Sequence, residues 1–279
     1  MSLKILEEFP DWLEWLNINL QRQCDALELK NILIQNGFSH QSIEANIALT
    51  LGNLSLHDKK KAKNIDFLSL SKPHFTQTNY SCRVHQVVNT KLQLYLIYDF
   101  LSSSECDDLI KISRGLLNPS TLTIPSNDKN FRTSQTAHLS MPDNPVVSAI
   151  DNKICHCLGI DKSYAETTQI QRYEIGQQFK QHTDFFEPNT KEFQRFGKQG
   201  GNRTWTFMVY LNTVKQGGET QFSIINQNVI PQQGLAVVWN NRYPNGEVNY
   251  DARHAGLPVE DGEKLIITKW FRENKITTH

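Results

Sequence analysis

Gln181-His182-Thr183-Asp184 sets an imidazole and a carboxylate two residues apart. In a strand, residues i and i+2 leave the same face, so both side chains reach one point in space while Thr183 points the other way. A neutral imidazole with a carboxylate suits a divalent transition metal, which needs at least one further ligand from elsewhere in the chain. The pair is equally at home in an ordinary strand with two polar residues on one face. Of the nine histidines, context selects His254, which precedes Gly256 and Pro258 at a turn and stands ten residues before Lys264. From Lys264 the chain alternates, so Lys264, Ile266, Thr268 and Trp270 share one face. If that face lines a barrel, Lys264 is a cation among apolar neighbours and needs an anionic partner. If Lys264 sits at the strand end, its stem packs and its ammonium stays in water. On these residues alone both placements stand.

The elements that would position these groups are short strands. After Ala165 the pattern predicts strands at 168–174, 178–185, 203–211, 219–225, 235–239 and 264–271, with glycine-bearing turns between them. Such a series argues for a sandwich or barrel. Upstream, Leu92–Phe100 reads as a strand, and Ser102 with Glu105 has the spacing of a capping box that opens a helix running to about Leu117. Residues 118–133 are rich in Asn, Pro, Ser and Thr and predict a mobile lid, and a helix follows from Pro145 to Leu158.

The first 52 residues carry a helical pattern: Trp12, Leu13, Trp15, Leu16 and Leu20, then Leu27, Leu29, Ile32 and Leu33, then Ile43 and Ile47, with a break at Asn36-Gly37-Phe38. Three short helices of this kind resemble the ubiquitin-associated type of module; a helical cap packed on the main domain is the plainer alternative. The organisation expected is a helical module at 1–52, a linker at 53–79 containing the basic run His57–Asn64, and a main domain at 80–279.

The wider pattern of the main domain resembles the prolyl 4-hydroxylase-like iron(II)/2-oxoglutarate dioxygenases. Tyr173 stands nine residues before His182 with Gly176 between them, "RTWTFMVYLN" and "GGETQF" match the next family strand and turn, and "PQQGLAVVW" and "HAGLPVEDGEKLIITKW" match the last strands. "FLSSSECDDLI" and "RTSQTA" extend the likeness to about residues 92–273. The resemblance implies an all-β core with flanking helices, a double-stranded β-helix or jelly roll, after the small helical module. It implies that His182, Asp184 and His254 hold Fe(II), and that Lys264 meets the distal carboxylate of the cosubstrate 2-oxoglutarate. Tyr173, Thr206 and Trp270 are then further cosubstrate-site residues. Arg203 stands where the family has an arginine near the substrate, a surface arginine at a strand start being the equal alternative. Arg272, two beyond Trp270, flanks the active-site mouth on the substrate side. With O2 as second cosubstrate and ascorbate as accessory cofactor, the implied product is 4-hydroxyproline in a protein or peptide, with release of succinate and CO2. The alternatives are a hydroxylase of another residue or a free amino acid, and a non-catalytic metal-bearing module that binds a partner through the N-terminal helices.

Bulk composition narrows the partners. Lys plus Arg and Asp plus Glu number 29 each, so no net charge draws the chain to nucleic acid or an anionic membrane surface. No apolar run approaches a membrane-spanning length. Five scattered cysteines without a CxxC read as reduced thiols, and the acidic N-terminal stretch lacks the pattern of a signal peptide, so the expected setting is the cytoplasm.

Overall fold

The structure, a computed structural model, describes residues 3–21, 24–57, 73, 83–123, 128–141 and 143–276. The chain divides into two compact units, Met1–Ile65 with Glu187–Arg195 and Asp66–Phe186 with Phe196–His279.

In the first unit, helices α1 (Pro10–Gln21), α2 (Ala26–Gln35) and α3 (His40–His57) surround Leu6, Leu16, Leu20, Leu29, Leu33, Phe38 and Ile43. The Asp25 carboxylate accepts from the backbone N–H groups of Leu27 and Glu28 and so starts α2. Gly37 at φ 87° then turns the chain and sends Phe38 into the core. The predicted stripe on α2 is only half buried: Leu29 and Leu33, one turn apart, face inward, whereas Leu27 and Ile32 are exposed. Helix α3 runs through Gly52 to His57, past the expected boundary at 52. Apart from positions 53–57 and Pro73, the expected linker and nearly all of its basic run lie outside the described residues.

The second unit is built on β1 (Arg83–Gln86), β2 (Leu94–Tyr98), β3 (Asn118–Pro119), β4 (Gln135–His138), β5 (Gln169–Tyr173), β6 (Phe179–His182) and β7 (Arg203–Tyr210). Shorter strands follow: β8 (Gln216–Gly217), β9 (Thr220–Phe222), β10 (Gln227–Val229), β11 (Ala236–Asn240), β12 (His254–Gly256) and β13 (Val259–Asp261), before the long β14 (Lys264–Arg272). Helices α4 (Ser103–Ser113) and α5 (Pro145–Leu158) come early; α6 (Lys191–Phe196), which follows β6 in the chain, belongs up to Arg195 to the first unit. The major sheet runs β1-β2-β11-β7-β14-β5-β4-β3 and the minor sheet β10-β9-β12-β6; β8 and β13 form a separate pair. Every ladder in them is antiparallel.

Strand alternation gives the major sheet two apolar faces. Phe207, Val209, Val238, Leu265 and Ile267 pack on one side with Leu109, Ile150 and Ile154 of α4 and α5. Met208, Tyr210, Val237, Trp239 and Ile266 pack on the other with Phe222 and Val229 of the minor sheet. Two sheets face to face with helices outside one of them make the double-stranded β-helix. The capping box expected for α4 is present. The Ser102 hydroxyl accepts from the Glu105 N–H while the Glu105 carboxylate accepts from the Ser102 N–H, and α5 starts on Asn144 and ends on Gly159 at φ 70°.

Four expectations need correction. Helix α4 stops at Ser113, short of Leu117. The strand expected over 178–185 ends at His182, and that over 219–225 gives way after Phe222 to a 3-10 turn at Ser223–Ile225. The 118–133 segment is not free along its length: Lys180 N–H donates to Phe131 O at 2.8 Å, Thr133 N–H to Gln178 O at 3.0 Å, and Lys180 pairs with Asp128 at 2.7 Å. Its end is therefore stitched to β6 as a further edge, while residues 124–127 lie outside the described set.

Candidate active site

Strands β6 and β12 place His182 directly opposite His254 in their ladder, and Asp184 follows in the turn beyond β6. The two imidazole centroids are 4.3 Å apart, and one ligand atom from each of His182, Asp184 and His254 lies within 4.8 Å of the others. Asp184 Oδ1 is 3.8 Å from His182 Nε2 and 3.9 Å from His254 Nε2, beyond hydrogen-bonding range. Each ring is oriented from behind: Nδ1 of His182 donates to Lys180 O at 2.8 Å, and Nδ1 of His254 to Ala252 O at 3.0 Å. With the proton on Nδ1, each Nε2 carries a lone pair. Burial, helped by His254, lowers the His182 pKa to about 3, so the ring is neutral at physiological pH. For Asp184 burial opposes ionisation, but His254, His182, Arg203 and the Thr206 hydroxyl together outweigh it, and its pKa lies below the ordinary value. Two imidazole Nε2 atoms and one carboxylate oxygen converging from one side are a donor set that fits an iron(II) ion with open positions.

Behind the carboxylate runs a directed chain. Asn241 Nδ2 donates to Thr206 Oγ1 at 2.9 Å, and Thr206 donates to Asp184 Oδ2 at 2.7 Å. Asn241 can only donate there, so the Thr206 proton must go to Asp184, which leaves Oδ1 free to face the histidines. The structure thus places Thr206 behind Asp184, outside the cavity lining; the threonines that line it are Thr220 and Thr268.

The cavity is lined by the three clustered residues together with Lys264, Tyr173 and Trp270. Lys264 lies opposite Tyr173 in the β14–β5 ladder, and its ammonium sits 4.3 Å from the centroid of the Tyr173 ring. Only 1 % exposed, Lys264 donates to Gly218 O at 2.8 Å and has no carboxylate within ion-pair distance among the described residues. Burial lowers its pKa to about 7. A side chain at Gly256 would come within 3.2 Å of Lys264 Nζ, so the glycine keeps that space open. The indole N–H groups of Trp239 and Trp270, both in the lining, are buried without an acceptor among the described residues. A cation without an anionic partner and two indole donors without an acceptor among the described residues fit a small polyanion such as 2-oxoglutarate.

The two arginines expected beside the substrate are engaged within the protein. Arg203 Nε and Nη2 each contact a Glu166 oxygen at 2.7 Å, its Nη1 donates to Asp184 O at 3.1 Å, and its guanidinium lies 3.9 Å over the Trp270 ring. Arg272 contacts Glu166 Oε1 at 2.8 Å and donates to the carbonyls of Phe196, Gln199 and Gly201. Phe185 packs edge-on against Tyr250, and Phe186 stacks on Phe196 beneath both arginines, so the two aromatics after the HxD are packing residues. The residue that sequence reasoning passed over is Arg132. Its segment, paired with β6 at the Arg132–Phe179 bridge, carries the guanidinium into the cavity wall, where it donates to Ser134, Thr136 and Thr121 O. The "RTSQTA" likeness was the available signal.

Residues 168–272 match the family described as the 2OG-Fe(II) oxygenase superfamily. Prolyl 4-hydroxylase subunit alpha-1 of Gallus gallus is 34% identical over 188 residues, 66% of this chain and 36% of the relative. The chain therefore spans about a third of the length of that relative. Prolyl 4-hydroxylase 13 of Arabidopsis thaliana is 29% identical over 201 residues, 65% of this chain and 71% of the relative. Among solved structures, the viral collagen prolyl hydroxylase of Paramecium Bursaria Chlorella virus-1, in complex with 2OG, is similar with a TM-score of 0.51 and 28% identity, over 64% of this chain and 95% of that one.

Proposed function

Because the chain belongs to the prolyl 4-hydroxylase-like iron(II)/2-oxoglutarate dioxygenases, we propose that it hydroxylates prolyl residues of a protein or peptide at the 4-position, converting 2-oxoglutarate to succinate and CO2. One observation carries the reading: the His182–Asp184–His254 cluster and a buried lysine without an anionic partner line the same cavity.

Iron(II), when bound with O2 and 2-oxoglutarate, supplies the oxidising power for hydroxylation of an unactivated C–H bond. The protein's share is positioning. His182 and His254 present Nε2 because backbone carbonyls hold Nδ1, and Asp184 presents Oδ1 because Thr206 holds Oδ2. Lys264 binds the distal carboxylate of 2-oxoglutarate, with Tyr173 and Thr220 beside it. Trp270, fixed under Arg203, walls the substrate side, and the apolar lining around Met208 and Ile266 limits water. Arg203 and Arg272 act through Glu166 and the loops they hold. Ascorbate belongs to the reading as an accessory reductant. The scattered cysteines without a CxxC support a reducing, cytoplasmic setting, and exposed Leu27, Ile32 and Leu49 support a protein partner for the N-terminal helices.

The test is incubation with proline-containing peptides, iron(II), 2-oxoglutarate and O2. The expected result is succinate together with a gain of one oxygen mapped to proline, both lost in His182→Ala. Oxygen on another residue or on a free amino acid would replace the prolyl assignment, and succinate formation unaffected by His182→Ala would overturn the metal assignment.

A further inference from the structure

Residues three apart in a regular strand point to opposite faces. Phe179 and His182 are three apart in β6, yet their rings lie parallel, with centroids 3.5 Å apart and planes 13° from each other. The register explains it. His254 stands opposite His182 and Gly256 opposite Phe179, so two steps along β12 answer three along β6. The extra residue is a bulge, which re-aims side chains and brings Phe179 to the side of His182.

Phe179 is itself held. The Arg132 guanidinium lies 4.7 Å from its centroid, and Phe131 meets it edge-on at 5.9 Å and 77°. A ring stacked at 3.5 Å fills one face of the phenyl group, which leaves the guanidinium the other. Arg132 is fixed in turn by its bonds to Ser134, Thr136 and Thr121 O. The hydrogen bond from His182 Nδ1 to Lys180 O sets the direction of one ring edge but does not stop the imidazole rocking about it. On the other side of the cluster, His254 is walled by Trp239 at 4.7 Å and Phe222 at 5.6 Å.

We propose that Phe179 is a positioning residue: clamped between Arg132 and His182, it fixes the plane of the His182 imidazole and so the direction of the Nε2 lone pair. The proposal rests on the reading of His182 as a metal ligand. Partners that orient a metal-bound histidine are commonly worth roughly 10- to 100-fold in metal affinity.

Cobalt(II) titration of the full chain, followed by calorimetry and by the visible absorption of the bound ion, tests this without turnover. Phe179→Leu should weaken cobalt(II) binding about 10-fold or more and alter the absorption band, whereas Phe179→Tyr should keep both. Circular dichroism of the metal-free proteins checks the fold; should Phe179→Leu not fold, Phe179→Met is held to the same criterion. Wild-type affinity with an unchanged band in the leucine or methionine variant would overturn the proposal. Absence of cobalt(II) binding by the wild type would instead overturn the metal reading beneath it.

Discussion

Lys264 is an ammonium whose hydrogen-bond acceptor in the protein is one carbonyl, Gly218 O, and burial lowers its pKa to about 7. In the unfolded chain a lysine titrates near 10.4. Between these values the unfolded state binds the extra proton, so stability rises with pH through that window as the folded protein is relieved of a buried charge. A dicarboxylate beside Lys264 reverses the preference and draws the proton back. The affinity for 2-oxoglutarate should therefore hold up to about pH 7 and fall toward about tenfold per pH unit above it. Calorimetry at pH 8 in two buffers of different ionisation enthalpy should show proton uptake on binding, absent in Lys264→Met. Uptake identical in both proteins would assign the proton to another group.

At the scale of elements, Arg272 shows how a strand end organises a loop. It is the last residue of β14 and donates to three carbonyls of the 196–201 segment as well as to Glu166. Arg272→Ala should cost about 3 kcal/mol, since it breaks a buried ion pair and strips acceptors of their donors. Arg272→Lys should recover only part, lacking the planar fork. Urea denaturation gives the first quantity, and faster proteolytic cutting within 196–201 checks the second consequence. From sequence, Arg272 reads as a flank of the active-site mouth, because the carbonyls it binds carry no sequence signal.

The same distinction governs what was legible elsewhere. Alternation along β14 correctly puts Lys264, Ile266, Thr268 and Trp270 on one face, and all four line the cavity. The three clustered residues were readable because their types are chemically specific and their spacing is regular. Parity failed at β6, where the bulge hides the partnership of Phe179 with His182. Thr206 reads as a lining residue through the family resemblance; only the third dimension shows its hydroxyl committed to Asp184. Arg132 was hidden for another reason, as a loop's docking onto β6 depends on backbone hydrogen bonds that any residue can make.

At the scale of the whole molecule, the cluster draws on strands far apart in the chain. His182 and His254 meet only when β6 and β12 pair, and about seventy residues must fold between them. An ion bound by both histidines favours the folded state alone, and at a hundredfold excess over its dissociation constant contributes about 2.7 kcal/mol. Cobalt(II) or iron(II) should thus raise the melting temperature of the wild type and leave His254→Ala where it was; an equal rise in both would place the ion elsewhere.

The pairing of β6 with β12 also makes the ion a removable cross-link. Without it the minor sheet closes on short strands, β12 contributing only three residues, and local opening is the route by which proteases reach a folded chain. Iron supply would then set how long each copy of the protein survives as well as how fast it works.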